Sequence, residues 1–308
     1  MNRNAIKRVL RKKHEAFLDS IDDKEVRQCI HNHAIITGGS IASMLLNENI
    51  NDFDYYLTDK ESVEMVAKYY VAKFNDMHPE IKIKPQVRVE EDRVKIWVQS
   101  AGAVSENGDT DYQYFENRPD EEGMQYADNM LTTGDEIADH IDEMDASKAP
   151  FRPVFMSANA ITLSDKVQIV IRFYGEPDEI HKNYDFIHCC NYWIAKTGEL
   201  VLHPAAMESL LSRNLQYQGS LYPVCSIIRA RKFLTKGWFI NAGQYLKMCF
   251  QISQLDLTNL EVLEEQLTGV DAAYFFQVID YCKQRMTEDE EFKITTPYLI
   301  TIIDRIFG

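Results

Sequence analysis

Apolar positions in the first hundred residues change their spacing several times, and each change predicts a new element. Ile6, Val9, Leu10 and Phe17 recur at helical spacing in the first segment. The continuous apolar runs 34–37 and 53–57 have the length of strands. The predicted order of elements is helices over 4–19 and 22–32, a strand over 34–37, a helix from Ser40, a strand over 53–57 and a helix over 60–75.

The second half of the chain separates strand-like from helix-like patterns. β-branched residues at alternating or continuous positions predict strands in 87–98 and 151–173, and we expect a further strand over 184–193. From Pro204 onward every apolar pattern has helical spacing. The chain is therefore predicted to be an α+β protein, with a mixed β-sheet and flanking helices in residues 1–195 and an all-helical domain in residues 196–308.

Composition indicates a globular protein with a large core and shows how charge is distributed along the chain. The 308 residues are 45% hydrophobic and carry a formal net charge of -15, enough for a large core. Segment 102–149 holds fourteen acidic and two basic residues, whereas segment 196–251 holds seven basic and two acidic ones. We interpret the acidic segment as an insertion, a long loop or lid, with a solvated disordered excursion as the alternative; in a non-catalytic binding protein it would be a docking surface or a DNA mimic. An acidic chain without an extended basic groove disfavours a general polymerase.

Apolar stretches and cysteines indicate the compartment. The longest apolar stretches have strand length, so we expect no membrane span and no membrane partner. The six cysteines form no CxxC pair, and a chain with a full core does not need disulfides. Reduced thiols and a cytoplasmic location are the expectation. His181, His188, Cys189 and Cys190 carry atoms that can bind zinc, but neighbouring residues on a strand face opposite sides and converge poorly.

Candidate chemistry begins at a glycine turn. Gly38, Gly39 and Ser40 follow the first predicted strand and open a helix. Bare backbone N–H groups and a helix N-terminus both favour a phosphate. Asp52 and Asp54, at i and i+2 on the next strand, point to one face, where they can bind Mg²⁺ or Mn²⁺. A turn that only packs a helix on a sheet is the alternative for the glycines.

A phosphate-binding turn beside two metal-binding carboxylates is typical of enzymes that transfer nucleotides. Such an enzyme usually needs a third carboxylate, and Asp185 is the best candidate. It stands among apolar neighbours on a predicted strand, where a capping or salt-bridged acid is the alternative. If Glu90, Glu91 or Asp92 is the third ligand instead, the assignment of Asp185 is wrong. Those three residues have the pattern of an exposed hairpin turn.

These motifs resemble the polymerase-beta-like nucleotidyltransferase superfamily. The resemblance is carried by Thr37-Gly38-Gly39-Ser40, a helix, and Asp52-Phe53-Asp54. The later runs 157–162, 168–173 and 180–186 are similar to a phage-encoded group of that superfamily. The resemblance covers about residues 32–236, interrupted by the acidic segment.

The resemblance implies a role for each motif residue. Gly38, Gly39 and Ser40 would hold the nucleotide phosphates. Asp52 and Asp54 would bind both metal ions, and Asp185 would bind the catalytic one and help deprotonate the incoming hydroxyl. In the helical domain, Arg229, Lys232 and Lys236 share one helix face that can receive a triphosphate or guide an acceptor. A solvated basic stripe is the alternative there.

The implied function is metal-dependent transfer of a nucleoside monophosphate from an NTP to a hydroxyl, with release of pyrophosphate. The acceptor is open between an RNA 3′ end, a protein side chain, a small molecule such as an aminoglycoside, and a second nucleotide. A phage-encoded enzyme of this kind would work in the host cytoplasm. The rival interpretation is a non-catalytic binding or virion-associated protein that keeps the fold.

Overall fold

The computed structural model describes residues 1–79, 81, 84–97, 103–105, 149–268, 273–289 and 291–307. The described helices are α1 Arg3–Asp19, α2 Lys24–His33, α3 Gly39–Leu46, α4 Lys60–Met77, α5 Pro177–His181, α6 Pro204–Ser212, α7 Pro223–Thr235, α8 Ala242–Ile252, α9 Leu260–Thr268, α10 Ala273–Glu288 and α11 Thr296–Phe307. The described strands are β1 Ala34–Thr37, β2 Phe53–Leu57, β3 Gln86–Val89, β4 Val94–Trp97, β5 Ala103–Ser105, β6 Pro153–Ser157, β7 Ala160–Leu163, β8 Val167–Val170, β9 Tyr192–Ile194 and β10 Glu199–Val201.

Three helix starts in the first unit, those of α1, α2 and α4, follow from capping side chains. Asn2, Asp23 and Asp59 each stand before a helix in an extended conformation and accept hydrogen bonds from backbone N–H groups of its first turn. Such caps satisfy donors that have no partner within the helix. The predicted order of helices and strands through β2 and α4 is confirmed, with ends that differ by one or two residues.

Eight strands form one mixed sheet in the order β10-β9-β1-β2-β8-β7-β6-β5. β2 and β8 pair in parallel, and every other neighbouring pair in this sheet is antiparallel. β3 and β4 form a separate hairpin. The prediction of an α+β fold with a mixed sheet, flanking helices and a helical C-terminal part is confirmed.

The two faces of the central strands have different surroundings. Ile36 of β1 and Tyr55 of β2 belong to the main hydrophobic core, which α1, α2 and α4 help to form. Ile35 and Tyr56 face the other way and pack with Ile180 of α5. Because side chains alternate along a strand, Thr37 and Asp54 share this second face. The two are direct neighbours across β1 and β2.

The described residues divide into two compact units, one up to Ser212 and one from Arg213 onward. The second unit contains helices α7 to α11, with a core listed here by its buried side chains: Leu263, Leu267, Val278, Ile279, Cys282, Ile294 and Ile302. No helix in the described part of the chain combines the length and the apolar character needed to cross a bilayer.

The expected strand over 184–193 is wrong for most of its length. Local hydrogen bonds replace strand pairing: the Asn183 N–H donates to the Ile180 carbonyl (3.0 Å) and the Cys190 N–H donates to the Ile187 carbonyl (3.0 Å). Residues 187–189 form a 3₁₀ turn, and only Tyr192–Ile194 (β9) is strand. Aromatic and β-branched residues favour a strand, but here they line a compact turn packed on the sheet.

The acidic segment 102–149 lies mostly outside the described residues. Its described residues 103–105 form β5, which pairs with β6 at the edge of the main sheet. The prediction that the insertion starts at residue 102 is therefore wrong for residues 103–105, and the rest of the predicted insertion up to residue 148 lies outside the described residues. The predicted lid lies outside the described residues.

Candidate functional site

A glycine turn joins the end of β1 to the start of α3. Gly38 has φ +89° and ψ −150°, a conformation that L side chains essentially never adopt. Its N–H donates to the carbonyl of Cys189 at 3.2 Å. A Cβ at position 38 would lie 2.6 Å from Asp54 Oδ2 and 3.3 Å from the Tyr184 hydroxyl. Only glycine therefore allows the Asp54 carboxylate to lie against this turn.

Ser40 and Gly39 differ sharply in their surroundings at the N-terminus of α3. The Ser40 side chain is buried, and among the described residues its Oγ has no hydrogen-bond partner. Gly39 is exposed, and a Cβ added to it would meet nothing within 4 Å. The helix starts without a side-chain cap. Free donors at a helix start beside an unpartnered buried hydroxyl suit an anion such as a phosphate.

Asp54 is bordered by two tyrosines on the second face of the sheet. The rings of Tyr56 and Tyr184 lie 6.0 Å apart, centroid to centroid. Burial, followed by Tyr56 and the Asp54 charge, raises the pKa of Tyr184 well above its ordinary value. Tyr184 is therefore a neutral phenol beside the carboxylate, and a phenol hydroxyl can hydrogen-bond such a group.

A buried hydrogen-bond network holds Thr37, the residue that precedes the glycine turn. The Thr37 hydroxyl donates to the carbonyl of Asn191 at 2.9 Å and lies 2.8 Å from His181 Nε2. Since the hydroxyl has one hydrogen, we assign the proton of the second bond to His181 Nε2. The last residue before the glycines is thus fixed to α5 and to the segment before β9.

Removing the Thr37 hydroxyl should destabilise the fold. In Thr37→Val the shape is kept, but His181 Nε2 and the Asn191 carbonyl lose a buried partner. We expect the free energy of unfolding to fall by about 2–3 kcal/mol in urea titrations. Thr37→Ser keeps the hydroxyl and should cost about 1 kcal/mol for the lost methyl group. Equal losses in the two variants would contradict the network.

Three buried histidines make stability depend on pH. Burial lowers the pKa values of His14, His181 and His188 to about 4, helped by His31 at His14 and by His203 at His181. Asp178 and Asp185 oppose the shift at His181 and His188. In the unfolded chain each imidazole has its ordinary pKa of about 6.5 and binds a proton more readily.

Acid should therefore unfold the protein through these groups. Their contribution is fully present above pH 6.5 and is lost as the pH falls towards 4, at roughly 2–3 kcal/mol for each histidine. His14 packs against Tyr55 and Trp193, and neither ring nitrogen has a hydrogen-bond partner among the described residues. His14→Phe should flatten the loss of stability between pH 6.5 and 4 by about a third. An unchanged profile from denaturant titrations would contradict this.

The structure shows a contact between some of the predicted site residues and leaves the roles of others as predictions. Gly38, Ser40 and Asp54 lie together at the start of α3. Asp52 directly precedes β2, two residues before Asp54, and its role as a metal ligand stays a prediction. Asp185 directly follows Tyr184, and its roles as base and ligand stay predictions.

The acids at 90–92 form the loop of the β3–β4 hairpin, as the sequence predicts. Lys95 and Arg93 bind the Glu90 carboxylate and lower its pKa to about 2. Glu91 and Asp92 are exposed. Arg229 and Lys232 lie on α7 of the second unit, and their role in nucleotide binding stays a prediction.

Metal binding at this turn would depend on its carboxylates. Among the described residues, no three His, Cys, Asp or Glu side chains are grouped so as to hold a metal ion. Mg²⁺, however, usually binds one or two carboxylates together with substrate phosphates and water, not an all-protein cage. The Asp54 carboxylate beside an anion-binding turn fits that mode.

Sequence reasoning missed the residues that support the site. The sequence places Tyr184 in a predicted strand and offers no link between Thr37 and His181. A threonine that ends an otherwise apolar strand is the signal that marks a buried hydrogen-bonding position. Its partner, 144 residues away in the chain, has no sequence signal.

The fold and this site define an α+β protein in which a glycine turn at a helix start lies against a carboxylate. The chain belongs to the Gabija anti-defense 2 family, whose model matches residues 8–213. One relative, "Gabija anti-defense 2" of Bacillus phage SPbetaL7, is 22% identical over 107 residues. That alignment covers 34% of this chain and 27% of the relative.

Solved structures with some likeness are CCA-adding enzymes. The Thermotoga maritima enzyme complexed with tRNA is 10% identical, with 76% of this chain and 43% of that chain covered and a TM-score of 0.37. The Bacillus stearothermophilus enzyme in complex with CTP is also 10% identical, with 83% and 50% covered and a TM-score of 0.37. Likenesses at this level decide nothing about the chemistry of this chain.

Proposed function

We propose that this chain is a nucleotidyltransferase that moves a nucleoside monophosphate from an NTP to a hydroxyl acceptor and releases pyrophosphate. We further propose that this reaction counteracts the Gabija defence of a bacterial host, in the host cytoplasm. The observation that carries the chemistry is the contact between the Gly38 turn and Asp54 at the start of α3. The family supports the biological role.

The glycine turn would bind the triphosphate. Backbone N–H groups of Gly39 and Ser40 and the Ser40 hydroxyl would donate to phosphate oxygens. Glycine at position 38 would leave the backbone open to the phosphate. A side chain at this position would instead clash with the Asp54 carboxylate. Thr37 and His181 would keep the turn in place between reaction cycles.

The carboxylates would serve the transfer step. The acceptor oxygen forms a bond to the α-phosphorus, the bond from that phosphorus to the bridging oxygen breaks, and pyrophosphate leaves with the electron pair. The acceptor proton would pass to Asp185. Asp52 and Asp54 would hold Mg²⁺ or Mn²⁺ with the triphosphate, and a bound cation would neutralise negative charge on the phosphates. The Tyr184 phenol would orient Asp54.

Binding without catalysis is the second candidate function. It is favoured by one observation, that the described residues contain no group of three metal-binding side chains. A protein of this kind would counteract the defence by occupying a partner through the same fold.

Label position separates these functions. The purified chain is incubated with host extract and each NTP, labelled with ³²P at the α or the γ phosphorus. We expect α label, and no γ label, to enter an RNA, protein or small-molecule product. Plating of a Gabija-sensitive phage on a host that expresses the chain tests the biological role. Restored plating without label transfer would favour the binding function.

A further inference from the structure

We propose that the second unit binds single-stranded RNA through an aromatic surface formed by Phe239, Tyr245, Leu246 and Phe250. All four side chains are exposed, Phe239 by 69% and Phe250 by 63%. Single large apolar residues on a surface are ordinary, but three aromatic rings within twelve consecutive residues are a feature that calls for a ligand.

The backbone under Phe239 is held on both sides. The Phe239 N–H donates to the Arg213 carbonyl at 2.8 Å, and its own carbonyl accepts from the Leu215 N–H at 2.7 Å. The preceding residue, Trp238, is buried and packs edge-on against Phe233, with 5.9 Å between the ring centroids. The exposed Phe239 ring is therefore attached to a fixed backbone. A ligand that stacks on this ring loses little binding free energy to ordering the backbone.

Helix α8 presents the other three side chains. Asn241 caps its start, accepting from the Gln244 N–H, and Met248 is buried on the packed side. Leu246 and Phe250 are four residues apart and so lie on one side of the helix, and Tyr245, next to Leu246 in the sequence, is exposed as well. Met248 packs the helix against the rest of the unit. The exposed apolar side chains are therefore not needed for that packing.

The chain segment that carries the aromatic residues contains positive charges and no negative ones. No Asp or Glu occurs from Ser209 to Leu255, although the whole chain has a net charge of -15. That segment contains six basic residues: Arg213, Arg229, Arg231, Lys232, Lys236 and Lys247. Their charge adds to the local potential whatever neighbour each one contacts.

Lys247 belongs to α8 itself. Its amino group lies 3.3 Å from the Tyr217 carbonyl and 3.2 Å from Gln244 Oε1. These bonds fix a positive charge on the same helix as Leu246 and Phe250. A phosphate oxygen can bind a lysine held in this way, since an ammonium group has three donors.

Aromatic rings combined with an acid-free basic segment suit nucleic acid better than protein. Cores of protein interfaces are depleted in charge, whereas single strands bind by stacking bases on rings and phosphates on basic groups. RNA is favoured over DNA because its loops and ends offer unpaired bases. Bound RNA could supply the hydroxyl acceptor, and only that extension rests on the proposed function.

Binding is measured by fluorescence anisotropy with the full chain and labelled oligouridine, without NTP. We expect saturable binding that weakens with salt. Phe239→Leu and Phe250→Leu keep an apolar side chain but remove the ring, and each should weaken binding roughly ten-fold. Lys247→Gln should reduce the slope of log affinity against log salt by about 0.7.

Tyr281→Leu is the matched control, an exposed aromatic residue of the same unit on α10, whose helix carries acidic residues. It should change the affinity less than about two-fold. The proposal is overturned by absent binding at low salt, by equal weakening in Tyr281→Leu, or by tighter binding of oligothymidine DNA. Equal competition by a polyglutamate peptide would also overturn it. RNA binding that persists when no label transfer is found would leave this proposal standing and defeat only the enzyme.

Discussion

Replacing Asp54 by asparagine should abolish transfer of α label from an NTP, with a loss of roughly a thousand-fold or more. The amide keeps the size of the side chain beside Gly38 but removes the charge that would bind a cation at the triphosphate. Asparagine keeps an acceptor oxygen beside the Tyr184 phenol. The melting temperature should therefore stay within a few degrees of the wild-type value.

Glu91→Gln is the matched control for this experiment. Glu91 is exposed in the β3–β4 loop, and its variant should transfer label at the wild-type rate. If Glu91→Gln abolished transfer and Asp185→Asn did not, the third carboxylate would belong to the hairpin. Wild-type transfer by Asp54→Asn would show that the site is elsewhere.

Replacing Gly38 by alanine should have the largest effect on the fold of the site. The added Cβ would lie 2.6 Å from Asp54 Oδ2, and the backbone conformation is one that alanine does not adopt without strain. We expect a loss of about 3 kcal/mol in the free energy of unfolding, together with loss of label transfer. Urea titration and the α-label assay measure the two effects.

Gly39→Ala makes the adjacent change without the clash. A Cβ there meets no atom within 4 Å, and alanine is a better helix former than glycine. This variant should be as stable as the wild type or slightly more stable. Equal destabilisation by the two variants would mean that the special geometry of Gly38 is not what shapes the site.

Local signals explain what could be predicted from the sequence. The strands β1 and β2 are short apolar runs, and the helices α1, α2 and α4 start at capping side chains, so spacing and caps were enough. The glycine turn and Asp54 were found because both belong to one local motif. In the structure, alternation along β2 puts Asp54 on the face opposite the main core, with Tyr56.

Long-range packing explains what could not be predicted. Residues 184–193 have strand-like composition, yet they turn back beside α5, where the Thr37 hydroxyl donates to the Asn191 carbonyl and the Gly38 N–H donates to the Cys189 carbonyl. Composition does not encode such a partner. The contact of Tyr184 with the Gly38–Asp54 pair likewise depends on how the segment after β8 crosses the sheet.

The central claim is that the Gly38–Asp54 site transfers a nucleotide. The most direct test measures pyrophosphate and labelled product together when the wild-type chain is incubated with each NTP, Mg²⁺ and host extract. We predict one pyrophosphate for each nucleotide incorporated, and neither product from Asp54→Asn. A folded wild-type chain that restores phage plating yet releases no pyrophosphate with any of the four NTPs would contradict the claim.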